Sequence, residues 1–397
     1  MVVLFLGSIL IGVLATTFLT WTLKIKKNFR GIGENIRRRR AEQRYHQVEE
    51  QFEKGENAFA SGRFEKAESC FERILKTNPN HTGALFYLGT ILRNNRKITQ
   101  AIELHQKALN KSPGNLKVLY ALSEDYAAAE MNQKEMETLE KIQKIDRKSP
   151  VPLARMREVF LKMKDWSSAC SAQKRIIPLI QSKEDKEKEL HRLSQLIYSN
   201  GMRYYHNGNL EAAIPEFKRA IRENPRCLPA YMMLGTIYQK SNHLKNAVKI
   251  WKSGHQNTGS PAFLLRIQDA YQAGTNAESV IKIYREAIRA SKNSEKETLV
   301  MMLGALYLEK GRSQEALEEL ESIHPEDSLL HHLLLSRAQQ ENGKLPTPGT
   351  SQLHFDHTRF PILNFHCREC QSSFREWSDH CPVCNTWDSV SCKTLQP

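Results

Sequence analysis

An all-α solenoid of helix-turn-helix repeats, preceded by one apolar span and followed by a small four-cysteine module, is the fold this sequence predicts. Three observations predict it. Small and aromatic residues recur every 34 positions, a run of 22 uncharged residues follows Met1, and two Cys-x-x-Cys pairs stand near the end of the chain. A chain of 397 residues is also too long for one compact core, so several folding units are expected.

The apolar span comes first. Residues 2–23, VVLFLGSILIGVLATTFLTWTL, carry no charge and as a helix would reach about 33 Å, enough for a bilayer core. No basic residue precedes the run, and Lys24, Lys26, Lys27 and Arg30 follow it. That order suits an uncleaved anchor over residues 1–23 rather than a cleaved signal peptide. Positive flanks stay on the cytoplasmic side, which puts Met1 on the outer side of the membrane and the bulk of the chain in the cytoplasm.

The net charge of +14 is uneven. Residues 24–44 hold nine Lys/Arg against Glu34 and Glu42, including the run Arg37, Arg38, Arg39, Arg40. Next to an anchor, such a segment (24–47) reads as a membrane-surface element facing anionic lipid head groups, or as a charge cluster that only sets topology, rather than as a nucleic-acid site.

The repeats occupy 48–343. Gly55 and Gly89, Ala67 and Ala101, and Pro79 and Pro113 are each 34 apart, as are Gly201 and Gly235, Ala213 and Ala247, and Phe217 and Trp251. Glycine or alanine lets two helices approach, an aromatic fills the space beside them, and proline stops one unit before the next. A 34-residue helix-turn-helix period is the tetratricopeptide signature. Eight units are predicted, starting near 48, 82, 116, 150, 194, 228, 261 and 297, with the third, fourth and seventh degenerate. The stretch SKEDKEKE at 182–189 breaks phase as a solvated helix extension or loop. Residues 326–343, with Leu329, Leu330, Leu333, Leu334 and Ala338, predict a last amphipathic helix that covers the end of the stack.

A linker over 344–363, containing LPTPGTS, leads to the module at 364–393. Cys367, Cys370, Cys381 and Cys384 have the spacing of metal ligands, because each short turn aims two sulfurs at one ion and four thiolates complete a tetrahedron. One zinc or iron ion is the expected cofactor. Two disulfides are the competing use of these thiols, and a reducing cytoplasm disfavours them. Phe360, Phe365, Phe374, Trp377 and Trp387 should form the module's core or its contact with the repeats. Among the histidines only His354, His357, His366 and His380 lie near the cysteines. Cys70, Cys170 and Cys227 read as small core residues, and Cys392 has no evident role.

Enzyme signatures are absent: there is no phosphate loop, no His-Glu-x-x-His and no Gly-x-Ser-x-Gly, and the stretch RGIGENI at 30–36 is no dinucleotide fingerprint. The expectation is a non-catalytic protein binder. Repeat phase directs Phe86, Thr90 and Arg93, then Tyr198, Met202 and Tyr205, then Met232, Thr236 and Gln239 to the partner-binding groove.

The stretches LGTILRNNRKITQAIELHQKAL (88–109), YMMLGTIYQKSNHLKNAVK (231–249) and FHCRECQSSFREWSDHCPVCNTWDSV (365–390), with the order of parts, resemble the lipopolysaccharide assembly protein B family. The resemblance implies an inner-membrane regulator that promotes turnover of the lipid A pathway deacetylase with the membrane-anchored AAA+ protease FtsH. It also implies a rubredoxin-like metal module, a zinc ribbon, packed on the repeats. Gln371 and Asn385 stand where rubredoxin-like turns usually carry glycine, which puts the geometry of the first turn in question. Two other functions are compatible with the residues: a general membrane-bound scaffold for another envelope complex, and a rubredoxin-type electron carrier. Association with a second copy is left open by the sequence.

Overall fold

The computed structural model describes residues 37–39, 42–272, 277–324, 328–343 and 363–394. The predicted anchor, Lys24, Lys26, Lys27, Arg30 and Arg40, and the linker up to residue 362 lie outside the described residues. Among those described, no helix is long and apolar enough to cross a membrane. The exposed Arg38 pairs with Glu42.

The chain divides into two compact units, Met1–Val159 and Phe160–Pro397. The first contains α1 (42–60), α2 (Phe64–Thr77), α3 (Thr82–Asn94), α4 (Ile98–Lys111), α5 (Leu116–Ala128), α6 (Asn132–Ile145) and most of α7 (Val151–Lys162). Consecutive helices pair as antiparallel hairpins, and the 34-residue period is visible in their geometry. A β-carbon built on Gly55 would fall 2.6 Å from the Phe71 ring, and one on Gly89 would fall 2.6 Å from His105. In each case the facing residue lies sixteen positions further on. The third repeat places Ser123 and Leu139 at the same two positions, both fully buried.

The turn inside each hairpin is equally periodic. Gly62, Arg96, Glu130 and Lys164 adopt positive φ, as do Gly208, Asn242 and Gly311 later in the chain. A left-handed residue lets the helix end and the chain reverse within a few residues. Where the residue is not glycine, this conformation costs about 1 kcal/mol.

The second unit continues with α8 (Trp166–Ile176), α9 (Lys183–His206), α10 (Leu210–Glu223), α11 (Leu228–Lys240), α12 (Leu244–Thr258), α13 (Ala262–Gln272), α14 (Ala277–Ala290), α15 (Asn293–Glu309), α16 (Ser313–Glu321) and α17 (Leu329–Glu341). Gly201 meets Phe217, Gly235 meets Trp251 and Gly304 meets Leu320, again sixteen apart. The seventh repeat keeps the pair as Gln268 and Tyr284, joined by a 3.0 Å hydrogen bond from the tyrosine hydroxyl. In the fourth repeat the two positions hold the buried polar residues Arg157 and Gln173.

The phase break at 182–189 is helical. Ser182 caps the first turn by accepting from the Asp185 N–H, Lys188 pairs with Glu184 and Asp185, and α9 becomes 24 residues long. α17 buries Leu330, Leu334 and Ala338 against α15 and α16, while Leu329 stays exposed.

The cysteine module belongs to this second unit. Its antiparallel sheet runs in the order β2 (Ser373–Phe374), β1 (Leu363–Cys367), β3 (Val390–Thr394). Phe365 sits opposite Phe374 on one side and Cys392 on the other. Leu363, Phe365 and Cys367 alternate inward along β1, so β1 begins one residue inside the stretch assigned to the linker.

Candidate metal centre

Two copies of one local structure build the centre. In each, a first cysteine is followed by two residues, a second cysteine, a left-handed Gln or Asn and a hydroxyl residue: Cys367 to Ser372, and Cys381 to Thr386. The N–H of Cys367 donates to the Ser372 carbonyl, and that of Cys381 to the Thr386 carbonyl. The N–H of Gln371 returns to the Cys367 carbonyl at 3.0 Å and that of Asn385 to the Cys381 carbonyl at 2.8 Å. Each turn thereby closes on itself and fixes where its sulfurs point.

Closing the turn requires the fifth residue to be left-handed, and Gln371 and Asn385 have φ of 59° and 57°. The first turn therefore adopts the same geometry as the second although it carries glutamine. The Gln371 amide donates to the Arg368 carbonyl at 3.0 Å, a local bond that offsets part of the strain.

Backbone N–H groups surround the inner sulfurs. Glu369 and Cys370 donate to Cys367 Sγ at 3.3 and 3.5 Å, and Val383 and Cys384 donate to Cys381 Sγ at 3.4 Å each. Cys367 Sγ lies 3.6 Å from Cys384 Sγ, Cys370 Sγ lies 3.5 Å from Cys381 Sγ, and all four sulfurs fall within 4.8 Å of one another. Four convergent thiols, the two inner ones with N–H donors aimed at their sulfurs, could hold one metal ion; such donors favour the thiolate form that a metal requires, although burial pushes the Cys381 thiol up to about 11. Burial pushes the Cys367 thiol up, but the Ser389 hydroxyl and the N–H groups of Cys370 and Glu369 outweigh it and bring the thiol down to about 6. The Ser372 hydroxyl lowers Cys370.

Neither described histidine near the site joins the cluster. His366 Nε2 lies 3.2 Å from Ser391 Oγ, and His380 pairs with Asp379. His354, His357 and Phe360 lie outside the described residues.

The aromatics divide between two tasks. Phe365, Phe374 and Trp377 belong to a core that the module shares with the later repeats. Trp387, only 5% exposed, instead joins the cluster of Tyr198, Phe217 and Leu234 on the repeats. Its ring lies 4.8 Å from that of His191 and 5.7 Å from that of Tyr198. The Tyr198 hydroxyl donates to Asp379 Oδ2 at 2.7 Å, spanning 181 residues of sequence. His191 lies in the lengthened α9 just beyond the charged stretch, so the extended helix supplies part of the module's seat. Cys392 also finds a role here, with its sulfur 3.6 Å from Ser260 Oγ in the α12–α13 turn. Cys70, Cys170 and Cys227 are buried within the repeats.

These contacts bear on the groove residues. Tyr198 is 1% exposed and engaged by the module, so its surface is closed to a separate partner. Met232 is buried too, inside the cluster that continues into the module. Tyr205 receives a 2.7 Å hydrogen bond from Lys240 Nζ, the Thr236 hydroxyl returns to the Met232 carbonyl, and Met202 and Tyr205 remain half-buried. In the first unit the Phe86 carbonyl accepts from the Thr90 hydroxyl and lies 3.0 Å from His105 Nε2. Arg93 is only 17% exposed and bridges Glu124 and Asp125 while donating to the Ala121 carbonyl. It ties α3 to α5. His105 Nδ1 lies 2.5 Å from Asp125 Oδ2, so this buried histidine occupies the place other repeats give to Phe or Trp by pairing with a carboxylate.

A tetratricopeptide repeat family model matches residues 52–115 and 198–251. Both stretches are ones in which a crossing glycine faces an aromatic or imidazole ring. Among solved structures, the chain is similar to MamA MSR-1, at 18% identity over 45% of this chain and 98% of that one with a TM-score of 0.34. A second MamA structure shares 22% identity over 46% and 93%, with a TM-score of 0.29. A tetratricopeptide repeat protein from Parabacteroides merdae shares 15% identity over 74% and 98%, with a TM-score of 0.35. The chain thus carries tetratricopeptide repeats, a protein-interaction scaffold, beside a four-cysteine cluster that could hold a metal ion.

Proposed function

We propose that this protein is a non-catalytic adaptor anchored in the bacterial inner membrane, whose repeats bring the lipid A pathway deacetylase to the protease FtsH and so restrain lipopolysaccharide synthesis. The observation that carries the reading is the seating of Trp387 and Asp379 on α9. It makes the cysteine module part of the repeat array rather than a tethered carrier, as a module that orients a binding scaffold should be. The sequence resemblance over the repeats and over residues 365–390 supplies the pathway.

In this reading zinc or iron on Cys367, Cys370, Cys381 and Cys384 supplies cross-linking. It holds two turns that have little core of their own, and through them the packing of Trp387 on α9. The anchor confines the array to the plane in which a membrane protease works, raising the effective concentration of whatever the repeats hold. Lys24, Lys26, Lys27, Arg30 and Arg37 to Arg40 rest on the anionic leaflet.

Photo-crosslinkers at Met202 and Gln239 test the reading in intact cells. Adducts with the deacetylase or the protease are expected. Adducts confined to other envelope proteins would replace it with the general scaffold.

A further inference from the structure

Between the cysteine module and the repeats beneath it lies a cavity of about 870 Å³, within the range that small ligands occupy. Its wall includes Glu187 and His191 from the extended start of α9, Arg226 from the α10–α11 turn, Ser260 from the α12–α13 turn, and Arg368 and Asp388 from the module.

The wall carries charges of both signs, and Asp388 is the most buried carboxylate among them. The Asp388 side chain is only 10% exposed. Among the described residues no donor reaches its carboxylate within hydrogen-bond distance, and the closest approach is His191 Nδ1 at 3.9 Å. Burying a carboxylate without donors is costly, and folded chains ordinarily supply them. Arg226 and Arg368 are both exposed, and the Arg368 guanidinium lies beside Asp388, where it donates to the Asp388 backbone carbonyl rather than to its carboxylate. The Asp388 carboxylate therefore attracts a cation with N–H donors, and the guanidinium groups of Arg226 and Arg368 in the same wall attract a carboxylate.

We propose that this cavity binds a basic amino acid, free or as the C-terminal residue of a protein, with its cationic end on Asp388 and its carboxylate toward Arg226 and Arg368. Because the walls come from both the module and three separate repeat segments, an occupied cavity also strengthens the seating of the module.

The test is calorimetric titration of the full-length, metal-loaded protein in detergent at pH 8, where Asp388 is largely ionised. The probes are L-arginine, L-lysine, agmatine, and a short peptide ending in lysine with a free or an amidated C-terminus. Saturable binding of a carboxylate-bearing probe is expected, with agmatine or the amidated peptide at least about 10-fold weaker, the worth of one charge-assisted contact. Asp388→Asn should weaken the same probe by about 10-fold or more. Arg226→Gln should weaken L-arginine and leave agmatine unchanged. Binding of the free amino acids identifies a small-molecule site, and binding of the free-carboxylate peptide alone identifies a protein C-terminus. The proposal is overturned if no probe saturates at about 10 mM, some 2.7 kcal/mol of binding, or if an observed affinity is indifferent to both substitutions. Should Asp388→Asn lose its metal or its fold, the Arg226→Gln comparison decides alone.

Discussion

Trp387→Ala should unseat the cysteine module from α9 without dismantling the metal centre. The indole buries on the order of 200 Å², worth about 5 kcal/mol at 25 cal/mol/Å², and tryptophan truncations in cores cost about 3–5 kcal/mol. Not all of that is recovered here. The indole Nε1 is buried with no hydrogen-bond partner, a burden of about 1–3 kcal/mol that truncation removes. The net loss is then about 2–4 kcal/mol. Trp387→Phe keeps most of the contact with the His191 and Tyr198 rings and discards the unpaired N–H, so it should fall within about 1 kcal/mol of wild type. Hydrogen exchange followed by mass spectrometry reads the difference directly. In the alanine variant, amides of β3 and of α9 around His191 to Tyr198 should exchange about 30-fold faster or more, since 1.4 kcal/mol is a factor of ten. Metal content should stay at one ion per chain. Exchange within about 3-fold of wild type (under about 0.7 kcal/mol) across both segments would refute the reasoning, because the module would then be held by something other than this ring.

Three further outcomes are expected. Gly235→Ala places a methyl 2.1 Å from Nε1 of the fully buried Trp251. The overpacking exceeds the gain in helix propensity and should destabilise by about 1–3 kcal/mol in thermal unfolding, whereas Gly114→Ala, which meets nothing within 4 Å, should be neutral within about 0.5 kcal/mol. Gln371→Gly relieves a left-handed residue and should slow chelator-driven loss of the metal, with a gain of about 0.5–1 kcal/mol; faster loss would mean that the Gln371 amide bond to Arg368 matters more than the strain. Burial, partly offset by Arg368, lifts the Asp388 carboxyl from its ordinary 3.8 to about 7. The folded value lies above the unfolded one, so ionisation opposes folding, and stability from this group is full below about pH 4 and lost as the pH rises through 7. The stability of Asp388→Asn relative to wild type should therefore rise by about 2–3 kcal/mol between pH 5 and pH 8, and a pH-independent difference would contradict that assignment.

The parts legible in the sequence are those with a local or periodic cause. Gly55, Gly89, Gly201 and Gly235 announce helix crossings because a β-carbon there would collide with a ring sixteen residues on. The two Cys-x-x-Cys turns announce themselves because a short turn is the local device that converges two sulfurs. The fourth repeat was faint because the positions equivalent to those pairs carry Arg157 and Gln173, buried polar residues that match no packing rule based on size. What stayed hidden is the seat of the module. Tyr198 and Asp379 are 181 positions apart, and no period links them. Repeat phase therefore assigned Tyr198 to an open groove, although the module covers it. The phase break at 182–189 was the available signal, since an insertion that lengthens one helix by about three turns creates surface that the repeats alone do not need. Asp388 was equally silent, because a carboxylate beside a metal module reads as solvated until its burial is known.

In the proposed adaptor role this chain lowers the lifetime of one biosynthetic enzyme, and the half-life of the lipid A pathway deacetylase in the native host, after protein synthesis is blocked, measures that most directly. Depletion of this protein should lengthen that half-life clearly, with rescue by the wild-type chain and not by Cys367→Ser with Cys370→Ser. A half-life unchanged on depletion would contradict the account.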